Sequence, residues 1–288
     1  MQLFVNALTV LDFSFLCQQR GMVGESWQVD VVLSGDLDHQ SMILDFGDVK
    51  RTIKTWIDTH IDHRLLVAST PSFNIQPTPE GLSVLAATQQ GQFYINGPEQ
   101  GFALIAESQI DTQSVSAHIK AKLLEILPKN IVDLTIKLKA ETNQAPFYHY
   151  SHGLKKHLGN CQRIAHGHRS RIEIYVNQQW STSWAEYWSK RWADIYLGSR
   201  DDQIDLHQLN LPNEFQGDEQ THKAFQYRAK QGCFEMVAPT RKCEIIPHDT
   251  TVELLAQYIA HQTASMESSN TITVYAYEGI EKGAIYHA

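Results

Sequence analysis

The sequence predicts an α+β protein built from two tandem units, each a run of antiparallel strands with two helices on one face. Three observations carry that prediction. First, "GESWQVDV" at 24–31 matches "GHRSRIEI" at 167–174: a glycine, a polar pair, then alternating apolar and polar residues. Second, two later matches share one offset, since "SVSAHI" from Ser114 aligns with "TVELLA" from Thr251 while Glu141, ending "LTIKLKAE", aligns with Glu278. Third, each copy holds two segments with apolar residues at helical spacing. The predicted units are 1–143 and 144–288, joined near "ETNQAP" at 141–146.

In the first unit, period-two alternation predicts strands over about 5–16 and 27–35, with "SGDLD" as the turn after them. "DFGDVKRTIKTWIDTHI" places Val49, Ile53, Trp56 and Ile57 on one helical face. Short strands follow within 82–107, then a helix over 113–126 and a strand over 132–140. The second unit repeats the order. Strands are predicted at 145–152 and 169–177, and a helix over "STSWAEYWSKRWADIYL", with Ser183 and Glu186 as its capping box. Hairpin-like pieces fill 224–246, a helix starts at Thr251, and a last strand spans 271–277. The tryptophans of the first of these helices are spaced like a buried face, so core or subunit interface is their predicted use.

Composition sets limits on function. The chain has 288 residues, 42% of them hydrophobic, enough to bury a substantial core. A net charge of -8 argues against a nucleic-acid or anionic-membrane partner, so any bound anion must be met by a local cluster. No apolar run is long enough to span a membrane. Asn6 and Asp12 break up the N-terminal stretch, which argues against a signal peptide. Cys17, Cys161, Cys233 and Cys243 lack a disulfide-framework spacing and read as free thiols in a cytoplasmic protein.

The chemistry concentrates in "HGLKKHLGNCQRIAHGHRSRIEI" at 152–174. Alternate side chains of a strand share a face, so His166 and His168 project together, with Gly167 leaving room between them. His152, at the end of the preceding strand, is placed to supply a third imidazole. Three protein ligands with one open position are the pattern of a catalytic zinc ion. Lys155, Lys156, Arg163, Arg169 and Arg171 crowd the same stretch and would attract phosphates.

"SHGL" followed by a cysteine and "HGH", with "DFGD", "DH" and a glutamate on the last strand, resembles the 6-pyruvoyltetrahydropterin synthase and 6-carboxytetrahydropterin synthase family. The resemblance implies two T-fold units, each a four-stranded antiparallel sheet with two helices, and a homo-oligomer, trimer or larger. It implies Zn2+ on His152, His166 and His168, and a pterin triphosphate as substrate. Cys161 falls at the family's catalytic cysteine, with a spacing to His166 one residue longer than the family's usual one. The first copy carries Cys17, Val23 and Glu25 at the places of the metal ligands, yet keeps Asp62 and His63 at the family's proton relay. The resemblance therefore implies one complete site made from two incomplete copies.

Glu278 would anchor the pterin, with Glu141 as its repeat equivalent. Thr251 and Glu253 match the family's "PT-x-E", although Thr250 with Glu253 would equally form a helix capping box. Arg163 and Lys155 would meet the phosphates. The activity implied is a zinc-dependent lyase of the 6-carboxytetrahydropterin synthase type, on the route to the tRNA base queuosine and acting on 7,8-dihydroneopterin triphosphate. The pyruvoyl-forming reaction and a non-catalytic zinc-containing pterin-binding protein are the alternatives.

Overall fold

A computed structural model describes residues 1–142, 145–267 and 270–288 of the chain. The predicted boundary between 143 and 144 falls outside the described residues. In the first half the order is β1 (Gln2–Cys17), β2 (Gly21–Gly35), a helix, then β3 (Leu65–Ala68), β4 (Phe73–Thr78), β5 (Gly81–Thr88), β6 (Gly91–Gly97) and β7 (Phe102–Ile105). The helix Thr112–Leu124 and β8 (Ile131–Ala140) complete it. The second half runs through β9 (Phe147–His152), β10 (His166–Val176), β11 (Gln179–Trp180), a helix, β12 (Ala193–Ser199) and β13 (Gln203–Ile204). It continues with β14 (His222–Ala229), β15 (Gly232–Pro239), β16 (Cys243–Ile246), the helix Val252–Met266, β17 (Ile272–Tyr277) and β18 (Gly283–His287).

The helices form where apolar spacing demands them. After Asp45, whose carboxylate caps Gly47 N–H at 2.7 Å, residues Phe46–Val49, Lys50–Lys54 and Thr55–His60 wind continuously through a central π-helical stretch. Val49, Ile53 and Ile57 are fully buried on one face of it. The Trp-rich helix covers only Thr182–Arg191. Its cap is Ser181, which accepts from Trp184 N–H, and not the Ser183–Glu186 box. The predicted continuation through Leu197 is instead strand β12. Asp194 sits in the left-handed region, φ 55°, where an α-helix cannot continue, and the apolar residues after it pair with β9 and β16.

The sheets are larger and more mixed than four antiparallel strands. One has the order β7-β3-β1-β2-β8 and a second β16-β12-β9-β10-β17-β18, with β11 paired to β10. In both halves a helix carries the chain to the far side of the first strand, so β3 pairs parallel with β1 and β12 parallel with β9. The third sheet, β13-β14-β15-β6-β5-β4, is shared: β15 and β6 pair antiparallel across the two halves. An apolar cluster containing Leu16, Met22, Leu65 and Phe93 from one half and Ile164, Tyr196 and Phe225 from the other closes the junction. Among the described residues no helix is long and apolar enough to cross a membrane.

The junction obeys the internal repeat. Ser14 Oγ and Ser151 Oγ, 137 residues apart and repeat equivalents, touch at 2.7 Å in the buried interface. Beside them Gly24 and Gly167 let β2 meet β9 and β10. A Cβ on Gly24 would lie 1.8 Å from Tyr150 O, and one on Gly167 2.3 Å from the same oxygen. Backbone cannot yield there as a side chain can. Gly24→Ala is therefore expected to cost on the order of 3 kcal/mol, the upper part of the overpacking range, seen as a lowered thermal midpoint. An unchanged midpoint would mean that the halves do not meet this closely.

Candidate active site

His152 pairs with His166 across β9 and β10, and Tyr150 with His168, so the strand register itself gathers three imidazoles. All three are buried, at 1% exposure or less. Two of the rings are held by Nδ1. His152 Nδ1 lies 2.9 Å from Thr250 O and His166 Nδ1 2.9 Å from Arg163 O. Carbonyl oxygens only accept, so both Nδ1 atoms carry the proton and both Nε2 atoms are left as lone pairs. His168 Nδ1 stands 3.2 Å from Asp12 Oδ1, at ion-pair distance but short of hydrogen-bond alignment. The three Nε2 atoms are buried without a hydrogen-bond partner, and the group offers ligand atoms within 4.8 Å of one another. Burial drives His152 and His166 well below the usual imidazole range, keeping them neutral. Three buried imidazoles converging on one point, two of them held from outside by backbone carbonyls, are a donor set that fits a divalent metal, zinc foremost.

The first half supplies the facing wall. Asp62 Oδ2 lies 2.5 Å from His63 Nδ1, while Asp62 Oδ1 accepts from Asp12 N–H at 2.9 Å. Burial would lower the His63 pKa, but the Asp62 carboxylate and the Cys161 sulfur outweigh it and raise it to about 10. Cys161 sits on the short 3-10 turn Asn160–Gln162, and His63, Cys161 and His166 also offer ligand atoms within 4.8 Å of one another. Above them opens a cavity of about 480 Å³, lined by Thr9, Asp12, Lys54, His157 and Lys282 as well as by Asp62, His63 and Cys161. Both halves of one chain thus contribute to one cavity.

A family model described as 6-pyruvoyl tetrahydropterin synthase matches residues 17–100 and 142–288, most of both halves. The chain belongs to the 6-pyruvoyl tetrahydropterin synthase family. Membership in its two-copy form supports a pterin-synthase-like lyase function. The chain is similar to 6-pyruvoyltetrahydropterin synthases of known structure. One from Plasmodium vivax is 17% identical over 43% of this chain and 78% of that one, with a TM-score of 0.36. One from Plasmodium falciparum is 12% identical over 48% and 97%, with a TM-score of 0.38. No curated protein matches.

Other residues expected to serve a pterin synthase site lie differently. Glu278 stands at the rim, its Oε1 3.9 Å from His168 Nε2. Glu141 is remote from that spot and lies near Arg169 and Arg171, at 3.8 and 3.7 Å. Thr251 caps the helix Val252–Met266 without a side-chain bond, and it is Thr250 whose backbone steadies His152. Lys155 is bound to Asp202 at 2.5 Å and Lys156 to Asp249 at 2.6 Å. Arg169 and Arg171 stack on Phe147 and Tyr277. None of these cations lines the cavity; its own lysines are Lys54 and Lys282. Asp12, Thr250 and Lys282 were missed. A lone aspartate among the inward apolar residues of a long strand was the available signal for Asp12.

The repeat-equivalent junction in this synthase-family chain carries other residues at the three histidine positions, and one of them differs from the sequence-based match. Pairing of β1 with β2 joins Phe15 to Val23 and Phe13 to Glu25, as His152 joins His166 and Tyr150 joins His168. Phe15, and not Cys17, therefore stands where His152 does. Glu25 takes the place of His168, and His149, 3.9 Å away, that of Asp12. Burial pushes the Glu25 carboxyl up to about 7, whereas burial lowers His149 to about 4. A raised carboxyl pKa favours folding below the unfolded value, and this contribution is lost as pH rises through about 7. His149 has the opposite sign, and the difference between wild type and Glu25→Gln reports Glu25 together with its effect on His149. From pH 5 to 8 the variant should gain about 3 kcal/mol relative to wild type in urea unfolding. Parallel pH curves would rule this out.

Proposed function

We propose that this chain is a zinc-dependent pterin lyase of the 6-carboxytetrahydropterin synthase type, converting 7,8-dihydroneopterin triphosphate on the route to queuosine. The observation that supports it best is the convergence, inside one junction, of three orphaned imidazole Nε2 atoms with the Cys161, His63 and Asp62 side chains. His152, His166 and His168 would hold the ion. When bound, zinc supplies Lewis acidity toward the substrate's side-chain hydroxyls.

The remaining work falls to the chain. Cys161, as thiolate, takes a proton from the reacting side-chain carbon or hydroxyl. His63, kept protonated and oriented by Asp62, hands a proton back. Glu278 accepts from the 2-amino and ring N–H groups, fixing the heterocycle by a paired acceptor edge. Burial of the imidazoles beneath the cavity floor excludes water from their nitrogens. The proposal includes a cytoplasmic homo-oligomer, trimer or larger, which sedimentation velocity reads directly.

Products decide the reaction. Incubation of the zinc-loaded protein with 7,8-dihydroneopterin triphosphate is expected to release acetaldehyde into the headspace. Turnover to a pyruvoyl pterin without acetaldehyde would assign the other synthase reaction. Absence of any pterin turnover would overturn the proposal.

A further inference from the structure

One residue touches both parts of the site. Arg163 is buried and lies three positions before His166, and its backbone carbonyl accepts from His166 Nδ1 at 2.9 Å. Its guanidinium reaches across the junction. Nη1 donates to Asp62 O at 3.2 Å and to His63 O at 3.3 Å, while Nε donates to Gln231 Oε1 at 3.1 Å. Gln231 in turn holds the cysteine turn, through Nε2 to Asn160 Oδ1 at 3.0 Å and N–H to Gln162 Oε1 at 2.6 Å. The segment that Arg163 grips is one that needs gripping, because His63 has φ 53°, a left-handed conformation unfavourable for a residue with a Cβ.

The repeat-equivalent junction places an arginine alike, though it grips a side-chain carboxylate and not backbone carbonyls. Arg20 precedes Val23, the equivalent of His166, by the same spacing. It reaches across the halves to Asp194, with Nε 3.0 Å from Oδ2 and Nη2 2.6 Å from Oδ1. Asp194 is itself left-handed, φ 55°, at the head of β12 as His63 is at the head of β3. An arginine clamping the strained residue of the opposite half is thus built into both junctions. Only at the junction with the three imidazoles does the clamped residue itself carry an imidazole.

We propose that Arg163 is a positioning residue that sets His63 against Cys161 and the imidazole cluster, and is not a phosphate ligand. This rests on the reading of the junction as a reactive site, since positioning matters only where His63 and Cys161 act together. Misplacement of a proton-handling group by about 1 Å costs on the order of 10²-fold in rate.

The test compares zinc-loaded wild type, R163A and R163K by metal content, by steady-state kinetics and by the site-resolved rate at which iodoacetamide alkylates Cys161. R163A keeps the backbone carbonyl on His166, so its metal content should match wild type. Its kcat should fall about 10²-fold with KM nearly unchanged. Cys161 alkylation should shift toward the rate seen in H63A, and added guanidinium, but not methylammonium, should restore both readouts. If R163A does not fold, R163K carries the same comparison, because an ammonium cannot form the fork to two carbonyls and Gln231. A rise in KM with kcat intact would assign Arg163 to substrate and overturn the inference, as would wild-type kinetics and alkylation. Altered alkylation in a protein with no pterin turnover would sustain the positioning role and sink the proposed reaction, so the two failures are distinguishable.

Discussion

His166→Ala should leave the purified protein with almost no zinc and with turnover reduced by at least about 10³-fold, since two imidazoles cannot hold a catalytic ion and the Lewis acid leaves with it. The fold should survive. His166 lies at the start of β10, and its ring contributes no apolar packing comparable to Trp188 or Trp192 in the adjacent core. Metal analysis and a thermal melt on the same preparation check both halves of this statement. Retained zinc would mean that His166 is not a ligand.

Cys161→Ala should behave differently, keeping its zinc while kcat falls by about 10² to 10⁴-fold, the range for loss of a positioned general base. His63→Ala should fall into the same range from the other side of the junction. Because Cys161 takes a proton from the reacting centre and His63 returns one to it, the two act as a unit, and the double variant should be scarcely worse than the weaker single one. Independent losses that multiply would show that the two groups serve separate steps. Unchanged turnover in Cys161→Ala would remove the thiol from the chemistry.

Much of this site could be read from the sequence because its elements obey local periodicity. Period-two alternation put His166 and His168 on one strand face, and β10 does present both to His152. The spacing of Val49, Ile53 and Ile57 gave the helix that delivers Asp62 and His63. In the sequence the three histidines fall in the second copy and Asp62 with His63 in the first, a contrast visible in residue types alone.

What was not legible depends on partners distant in sequence. Lys155 looks like a phosphate ligand until Asp202, 47 residues on, is found beside it. Arg163 looks alike until the carbonyls of Asp62 and His63, about a hundred residues back, are found at its Nη1. The Cys17-for-His152 match failed because β1 and β2 turn tightly over 18–20 whereas β9 and β10 are joined by the long segment 153–165, so one offset cannot serve both strands. The Trp-rich helix was extended too far because aromatic residues fit a buried helix face and a buried strand alike. Only the left-handed turn at Asp194 separates the two.

Zinc-edge X-ray absorption on the loaded protein tests the divided site most directly, because two overlapping clusters compete for the ion: the three imidazoles, and His63 with Cys161 and His166. With Nε2 donation from His152, His166 and His168, the first shell should contain only nitrogen and oxygen scatterers at about 2.0 Å. A sulfur scatterer at about 2.3 Å would put Cys161 on the metal, leaving it no freedom to carry a proton and contradicting the division of work between the two halves.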